Sequence, residues 1–356
     1  MDFGIEDQRE KRKKRKKNIK NLYLYVGIGF FFIASVLMLI YIFKVLSGNE
    51  DNSTKKPVVE KKLNIVDLNS NERPIAVMID NNVDNNNHAG LQSSYINYEI
   101  IVEGGLTRIM ALYKDKDVEL IGPVRSSRHY FLDYALEHDA IYAHFGWSTY
   151  AENDIRALNV NNINGLTDDS AYWRETSIAA PHNVFTSIDR LYTTAKSKNY
   201  SITSNSWKVL NYSVDKINLS KVNEEELISA SSVSIDYSNS QNRSYTYDSE
   251  NKYYLRNMNG SPHIDKVTGV QLNYKNIIIM KVENRNLDNE GRQDLDTVGT
   301  GSGYFITNGE ALPITWSKSS RNSKTKYTYS DGSEVKVNDG NTFIQVVPIS
   351  SSIIIE

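Results

Sequence analysis

The sequence predicts a single N-terminal transmembrane helix, followed by an α/β domain and a C-terminal all-β, sandwich-like domain. Three observations indicate this order: an uncharged apolar run at residues 21–43, strand-like runs interleaved with helix-like stretches over residues 73–225, and polar alternation with turn pairs over residues 226–356. Because domains usually have about 100–200 residues, the 356-residue chain has room for two folded domains beside the membrane segment.

The apolar run at residues 21–43 has the length that a helix needs to cross a hydrocarbon core of ~30 Å. The basic run at residues 11–17 precedes it, so the positive-inside rule predicts that residues 1–20 form a cytoplasmic basic tail. A cleaved signal peptide has the same order of charged and apolar residues. However, Lys44-Val45-Leu46 is not a small-x-small cleavage site, and the apolar run exceeds the usual ~7–15 residues. We therefore expect a single-pass protein of the cell membrane whose C-terminal domains are extracytoplasmic.

Charge and cysteine content exclude several classes of function. Of the 41 basic and 43 acidic residues, nine basic and four acidic ones lie in residues 1–20, and Lys44 is a further basic one, which leaves 31 basic against 39 acidic residues outside. An acidic exterior disfavours nucleic acid as a partner, because phosphate backbones require a concentrated positive face. The chain has no cysteine, which excludes disulfides, thiolate metal sites, cysteine nucleophiles and thiol-linked lipid.

The first extracytoplasmic region alternates strand and helix patterns. Residues 44–72 are polar and lack periodicity, which predicts a flexible tether that ends near Arg73. The almost wholly apolar run from Pro74 to Asp80 is typical of a strand buried on both faces. Further strands are predicted over residues 98–102, 109–113 and 140–145, with a turn at Gly104-Gly105. Helices are predicted over residues 127–137, from Thr149 to Leu158 behind a capping box, and from Ser187 to about Ala195.

The second region is rich in Ser, Thr, Tyr and Asn, with Asn-Gly and Asp-Gly pairs that are typical of hairpin turns. Strands are predicted over residues 245–247, 276–282, 333–337 and 342–347. The run Gly299-Thr-Gly-Ser-Gly303 is similar to part of a dinucleotide-binding loop, but it lacks the strand and helix context, so we interpret it as a hairpin turn. Because no P-loop or GxSxG motif is present either, no cofactor is expected.

Glu103 and Arg108 flank a glycine pair at the end of a predicted strand. Glycines allow backbone conformations that other residues avoid, so these two side chains can converge on a ligand. A salt bridge across a tight hairpin explains the same pattern. The run from Ile121 to Arg128 places Arg125 and Arg128 three positions apart at the start of a predicted helix, a spacing that suits a carboxylate or phosphate ligand. A solvated pair that binds loop carbonyls is the alternative.

The histidines and tryptophans of this region give further candidates. His144 lies at the end of an apolar strand and His182 lies in a Pro-containing loop beside Asn183, where an imidazole can transfer protons near neutral pH. Trp173 and Arg174 are candidates for contact with a sugar ring. Equally, a histidine or tryptophan in such a place often belongs to the core. A metal site at Asp80, His144 and His182 has no recognisable spacing, so no metal is expected.

Several motifs in order resemble those of the YerB-like family of exported Gram-positive envelope proteins, over residues 73–350. The matching runs begin at Arg73, Glu103, Gly122, Tyr172, Ala180, Gly260, Gly291 and Val298. The resemblance implies an N-terminal α/β domain, a C-terminal β domain and residence at the outer face of the cytoplasmic membrane. Related members resemble lipoproteins anchored through an N-terminal cysteine. This chain has none, so the resemblance implies that its apolar helix replaces the lipid.

We expect a protein that acts on or binds cell-wall glycan, with peptidoglycan as the expected polymer. In a glycosidase or lytic transglycosylase, Glu103 would serve as general acid or base and Asp80 as a second carboxylate, while His144 and His182 would position water or the sugar. Arg125, Arg128 and Arg174 would hold acidic or N-acetylated substituents. Whether the protein is an enzyme stays open at this point, because the same cluster suits a non-catalytic scaffold that binds envelope proteins.

Overall fold

The structure is a computed structural model that describes residues 3–47, 62–82 and 87–356, and its contacts divide the chain into Met1–Glu60 and Lys61–Glu356. The first unit contains helix α1 (Phe3–Ser47), which includes the predicted membrane segment. Its stretch Tyr25–Lys44 is apolar and long enough to cross a membrane, and none of it is buried against other described residues. The apolar N-terminal helix predicted at residues 21–43 is therefore present.

The described residues of the second unit form three further α-helices and an extensive set of strands. The helices are α2 (Phe131–Glu137), α3 (Thr149–Ala157) and α4 (Ile188–Ser197). The first strands are β1 (Ile75–Asp80), β2 (Ile96–Ile101), β3 (Thr107–Tyr113), β4 (Ile141–His144), β5 (Asn162–Asn164), β6 (Tyr172–Arg174), β7 (Val184–Thr186), β8 (Asn211–Ser213), β9 (Ile228–Ser229), β10 (Ser232–Ser238), β11 (Gln241–Asp248) and β12 (Tyr253–Met258). The remaining strands are β13 (Ser261–Pro262), β14 (Asn273–Tyr274), β15 (Asn276–Val282), β16 (Asn284–Asn286), β17 (Gln293–Leu295), β18 (Gly299–Thr307), β19 (Glu310–Lys318), β20 (Lys326–Thr328), β21 (Lys336–Asn338), β22 (Thr342–Pro348) and β23 (Ser352–Ile355).

Most of the core surrounds one eleven-stranded sheet of order β20-β19-β18-β15-β22-β2-β3-β1-β4-β5, in which β9 pairs with β19. Strands from both sides of the predicted boundary at residue 225 contribute to this sheet. They meet at β22, where Thr342 lies opposite Ile96 of β2 and Asn276 of β15, both in parallel register. Main-chain hydrogen bonds therefore join the α/β region to the β-rich region.

A six-stranded sheet, β13-β12-β11-β10-β23 with β14 paired to β12, covers one face of the large sheet. The contact is centred on Phe343, whose ring lies 4.8 Å from that of Tyr274 and 6.2 Å from that of Tyr245. Helix α2 covers the opposite face, where Tyr134 stacks on Tyr98 with ring centroids 4.6 Å apart. The chain thus has a mixed α/β region and a C-terminal β-rich region, and the strands of the latter are divided between two sheets.

Several predicted elements are confirmed by the structure. Every residue of β1 is buried, as expected for an almost wholly apolar strand in a sheet that is covered on both faces. Strand β15 has the predicted bounds, Asn276–Val282. The side chain of Ser187 caps α4 by accepting a hydrogen bond of 3.3 Å from the backbone N–H of Arg190.

Three local predictions were wrong. Helix α2 begins at Phe131 and not at Ser127, because the preceding segment is extended and bonds to strands: Arg125 N–H donates to the Met78 carbonyl at 2.9 Å. Arg125 and Arg128 therefore do not share a helix face. The run Gly299–Gly303 lies within β18 and not in a turn. Its glycines reflect close packing of strands, because a Cβ at Gly303 would lie 1.9 Å from the Ile279 carbonyl oxygen. Helix α3 is capped by Ser148, one residue before the predicted cap.

The predicted tether is described only in part, because residues 48–61 lie outside the described ranges. Residues 62–72 contact the folded unit. Ile65 and Val66 are buried in the core, and the backbone amides of Asn64 and Ile65 donate to the carboxylate of Asp339. The folded region thus extends to the N-terminal side of Arg73.

Candidate functional site

Side chains from four separate segments converge where β1 ends and β3 begins. Antiparallel pairing places Asp80, the last residue of β1, opposite Arg108 of β3. The extended segment that contains Arg125 crosses this end of the sheet, because the N–H of Asp80 donates to the Pro123 carbonyl at 2.8 Å. Residues far apart in sequence therefore meet at one edge of the large sheet.

Asp80 holds two basic side chains. Its Oδ2 lies 2.5 Å from His182 Nδ1 and 3.2 Å from Arg125 Nε, while its Oδ1 accepts a hydrogen bond from the backbone of Asn82. A carboxylate that accepts from Nδ1–H leaves the lone pair of a neutral imidazole on Nε2. Within the described parts of the chain, Nε2 of His182 has no hydrogen-bond partner, and the His182 side chain is 28% exposed. Asp80 thus orients a partly exposed histidine whose second nitrogen has no partner among the described residues.

Glu103 and Arg128 form a bidentate ion pair beside this group. The distances are 2.5 Å from Arg128 Nε to Oε1 and 2.9 Å from Nη2 to Oε2. Burial raises the pKa of Glu103, but the hydrogen bonds and positive charge of Arg128 outweigh burial and lower this pKa below its usual value. The sequence left open a salt bridge between Glu103 and Arg108 across the hairpin. The structure does not contain this salt bridge, because Glu103 pairs with Arg128 instead.

Arg108 lies between these two groups and is only 8% exposed. Its Nη1 donates to the Ser126 carbonyl at 2.7 Å, and no carboxylate within the described residues forms an ion pair with it. Burial lowers the pKa of Arg108 to about 10; the charges of Arg128 and Arg125 act in the same direction, and Glu103 acts against them. The site therefore combines three guanidinium groups with two carboxylates.

A hairpin from the C-terminal region borders the site, and sequence reasoning did not place it there. Strands β16 and β17 bring Asp294 to 3.0 Å from Nε2 of His129, which follows Arg128 directly. The pKa of Arg292 is raised mainly by its hydrogen bond to Asp288, and the charge of Glu103 contributes to the rise. Arg292 and Asp294 belong to the motif Gly291-Arg-Gln-Asp294, which was the available sequence signal. No sequence pattern indicated that this motif lies beside Glu103 and His129.

Two predicted residues have structural contacts that account for their polar atoms. His144 is fully buried, its Nδ1 lies 2.8 Å from the Gly146 carbonyl and its Nε2 lies 3.2 Å from Asn162 Oδ1. Burial lowers the pKa of His144 to about 4. Trp173 donates from Nε1 to Glu175 at 2.8 Å, and the Arg190 guanidinium lies 4.9 Å above its ring. Both residues therefore contribute to packing.

Arg174 and Asn183 form a pair in the β6–β7 hairpin, next to His182. Arg174 Nη1 donates to Asn183 Oδ1 at 2.7 Å, and its guanidinium lies 5.0 Å from the Phe145 ring. This pair supports the loop that carries His182. Among the described residues, no group of three or more His, Asp or Glu side chains is arranged to hold a metal ion.

A buried ionic network behind the site was also missed by sequence reasoning. Glu99 of β2 is fully buried and binds Arg243 Nε at 2.6 Å and Arg256 Nη2 at 2.8 Å. Burial raises the pKa of Glu99, but the two arginines outweigh burial and lower it. The arginines lie on β11 and β12, so this network joins the two sheets.

A histidine pair extends the network to the site. Arg256 Nε donates to His263 Nδ1 at 3.1 Å, and His263 Nε2 lies 3.0 Å from His88 Nδ1. His88 Nε2 contacts the carbonyl oxygen of Asp80 in turn. Burial lowers the pKa of both histidines, so they are neutral and exchange one hydrogen bond. Contacts from the six-stranded sheet thereby reach the backbone of Asp80.

Two open cavities lie elsewhere in the folded unit and contain none of the predicted site residues. The first has a volume of about 710 Å³ and is lined by serine and asparagine side chains around Tyr237. The second has a volume of about 430 Å³ and is lined by charged residues around Tyr192. We therefore locate the candidate site by its converging charges.

Comparison with known proteins gives one consistent family. Residues 63–201 match the family described as "Protein of unknown function (DUF3048) N-terminal domain", and residues 233–344 match its "C-terminal domain". The chain is 30% identical over 281 residues to "Putative lipoprotein YerB" of Bacillus subtilis (strain 168), a match that covers 78% of this chain and 81% of that protein. The crystal structure of YerB protein from Bacillus subtilis is similar, with a TM-score of 0.70 and 28% identity over 80% of this chain and 94% of that one.

Proposed function

Because this chain belongs to the YerB-like family, we propose that it is a membrane-anchored extracytoplasmic protein that binds cell-wall glycan, with peptidoglycan as the polymer. Two facts support the location: the relative is described as a lipoprotein, and this chain carries one apolar helix of membrane-spanning length. The chain has no cysteine, so helix α1 takes the place of a lipid anchor in this proposal. Residues 1–20 then lie in the cytoplasm, and the folded unit lies within reach of the wall.

The observation that carries the proposed binding role is the set of free donors at the site. The guanidinium of Arg125 donates no hydrogen bond within the described residues, although Asp80 holds its Nε at 3.2 Å. Guanidinium groups bind planar oxyanions through two parallel hydrogen bonds. The stem peptides of peptidoglycan carry carboxylates, so Arg125 and its neighbours suit that polymer.

The state of Glu103 favours binding over glycosidic cleavage. A general acid has to be protonated near neutral pH. Arg128 lowers the pKa of Glu103 and occupies both of its oxygens, so Glu103 is ionised and engaged at neutral pH. We therefore assign Glu103 to positioning Arg128.

A hydrolytic role is the second candidate, and the contact between Asp80 and His182 favours it. A carboxylate at 2.5 Å from Nδ1 orients the imidazole so that Nε2 can take a proton from water. Arg125, beside the same carboxylate, would stabilise negative charge that develops on the substrate. In this candidate His182 is the general base and Asp80 positions it.

Co-sedimentation of the full-length chain in detergent with Bacillus subtilis sacculi separates these functions. We expect the wild-type chain to sediment with sacculi and mass spectrometry of the supernatant to find no released muropeptide. Muropeptides that are released by wild type and absent with His182→Gln would establish cleavage instead. A chain that stays in the supernatant but retains a stoichiometric envelope protein in pull-down would contradict glycan binding and identify a scaffold.

A further inference from the structure

Arg108 differs from the other buried cations of the described residues. Five other lysines and arginines are similarly buried, and each has a carboxylate oxygen within 3.1 Å. The pairs are Arg73–Asp139, Lys114–Asp115, Arg243–Glu99, Arg256–Glu99 and Lys318–Glu137. Arg108 forms no such pair with a described residue. A buried charge without a counter-ion is strongly destabilising, which is why proteins pair such groups.

The donors of Arg108 are also incompletely used. Its Nη1 donates to the Ser126 carbonyl, whereas its Nε and Nη2 have no hydrogen-bond partner within the described residues. The nearby carboxylates are committed, Glu103 to Arg128 and Asp80 to His182. No carboxylate of the described site therefore forms a direct ion pair with Arg108.

We propose that the site binds one oxyanionic group of single negative charge, a carboxylate or a phosphodiester, through Arg108 and Arg125. This inference rests on the proposed function and names the chemical group of the wall polymer that the site recognises. Arg108, Arg125 and Arg128 face only the two carboxylates of Asp80 and Glu103, which leaves one guanidinium charge unmatched among the described site residues, so a monoanion balances it. A neutral sugar cannot supply that charge.

The ligand reaches the site from the side of Arg125 and His182. Their side chains are 25% and 28% exposed, whereas that of Asp80 is 5% exposed. The oxyanion would accept hydrogen bonds from the unused donors of Arg108 and Arg125. Carboxylates of stem peptides and phosphodiesters of wall-attached polymers share this chemistry.

Thermal unfolding of the full-length chain in detergent tests the inference with two matched variants. Arg108→Met removes a buried cation without a counter-ion, so we expect its melting temperature without added ligand to equal or exceed that of wild type. Arg243→Met removes a paired cation from Glu99, so we expect a lower melting temperature. If Arg108→Met lowers the melting temperature as much as Arg243→Met does, the inference is overturned.

The same measurement uses three probes at constant ionic strength: acetate, dimethyl phosphate and neutral acetamide. We expect one of the two anions to raise the melting temperature of wild type by about 2–5 °C at concentrations well above its dissociation constant. Arg108→Met and Arg125→Gln should lose this rise. The anion with the larger effect identifies the source as carboxylate or phosphodiester, and equal effects of anions and acetamide, or effects that Arg108→Met retains, would overturn the inference.

Sacculus binding distinguishes a failure of this inference from a failure of the proposed function. Suppose that wild type binds sacculi but that anions raise the melting temperatures of wild type and Arg108→Met equally. This result would refute the oxyanion assignment alone. An anion response that depends on Arg108, in a chain that does not bind sacculi, would support the oxyanion site and refute cell-wall glycan as its source.

Discussion

At the scale of single residues, the site depends on which basic group each carboxylate holds. Asp80 holds His182 and Arg125, and Glu103 holds Arg128, so both carboxylates leave Arg108 without a direct partner in the described chain. The consequences are an oriented histidine and an excess of positive charge. Both features suit the recognition of an anionic polymer more directly than they suit acid catalysis by Glu103.

The ion pair of Glu103 predicts a pH-dependent contribution to stability. A carboxyl whose pKa is lowered on folding stabilises the protein above its unfolded pKa of about 4.3, and this contribution is lost as pH falls through the lower folded pKa. We expect Glu103→Gln to cost about 1–3 kcal/mol at pH 7. The difference from wild type should shrink steadily below about pH 4.

Urea unfolding of both proteins at several pH values measures this difference, with Glu152→Gln as the control. Glu152 pairs with Arg156 on the surface of α3, where the Arg156 side chain is 73% exposed, so its loss should have little effect at any pH. A cost of Glu103→Gln that is constant from pH 7 to pH 3 would contradict the assigned role of the ion pair.

The structure brings several of the predicted positions together, but the sequence did not indicate which side chains pair with one another. Asp80, Glu103, Arg125 and Arg128 were identified because acid, base and glycine cluster at strand ends. Distances between such segments depend on the tertiary fold, so the contact between Glu103 and Arg128 could not be derived. The buried Glu99 was missed because a charged residue in a strand usually faces solvent, and nothing in its own segment indicates two arginines more than 140 residues away.

At the scale of elements, close packing of strands explains the glycine run in β18. A Cβ at Gly303 would meet the Ile279 carbonyl oxygen of the neighbouring strand β15 at 1.9 Å. Such a contact is impossible without displacement of the β15 backbone. The same glycine pattern is typical of turns, so the sequence alone favoured a hairpin there, whereas β1 was correctly predicted as a buried strand and β15 as a strand.

The packing of Gly303 predicts a specific sensitivity. We expect Gly303→Ala to destabilise the folded unit by about 2 kcal/mol or more, because the added methyl group forces the two strands apart. Ser302→Ala in the same strand is the matched control, since Ser302 is exposed and its change should alter stability little. Melting temperatures from circular dichroism measure both. Equal stability of the two variants would mean that β15 and β18 are not as closely packed as described.

At the scale of the whole molecule, strand order joins regions that sequence reading separates. Strand β22 lies near the C-terminus, yet it forms parallel pairs with β2 and β15. Local periodicity predicted that β22 is a strand but contains no information about its neighbours. The Glu99 network and the β16–β17 hairpin cross the same junction, so the C-terminal region supports and borders the candidate site in the N-terminal region.

The proposed function requires that the positive site of the folded unit binds the wall. Sedimentation with sacculi of wild type, Arg125→Gln and Arg156→Gln tests this most directly, because both variants lose one cation and only Arg125 belongs to the site. We expect Arg125→Gln to weaken binding by about tenfold or more, in line with loss of charge-assisted hydrogen bonds, and Arg156→Gln to bind as wild type does. Equal binding by all three proteins would contradict the proposed site.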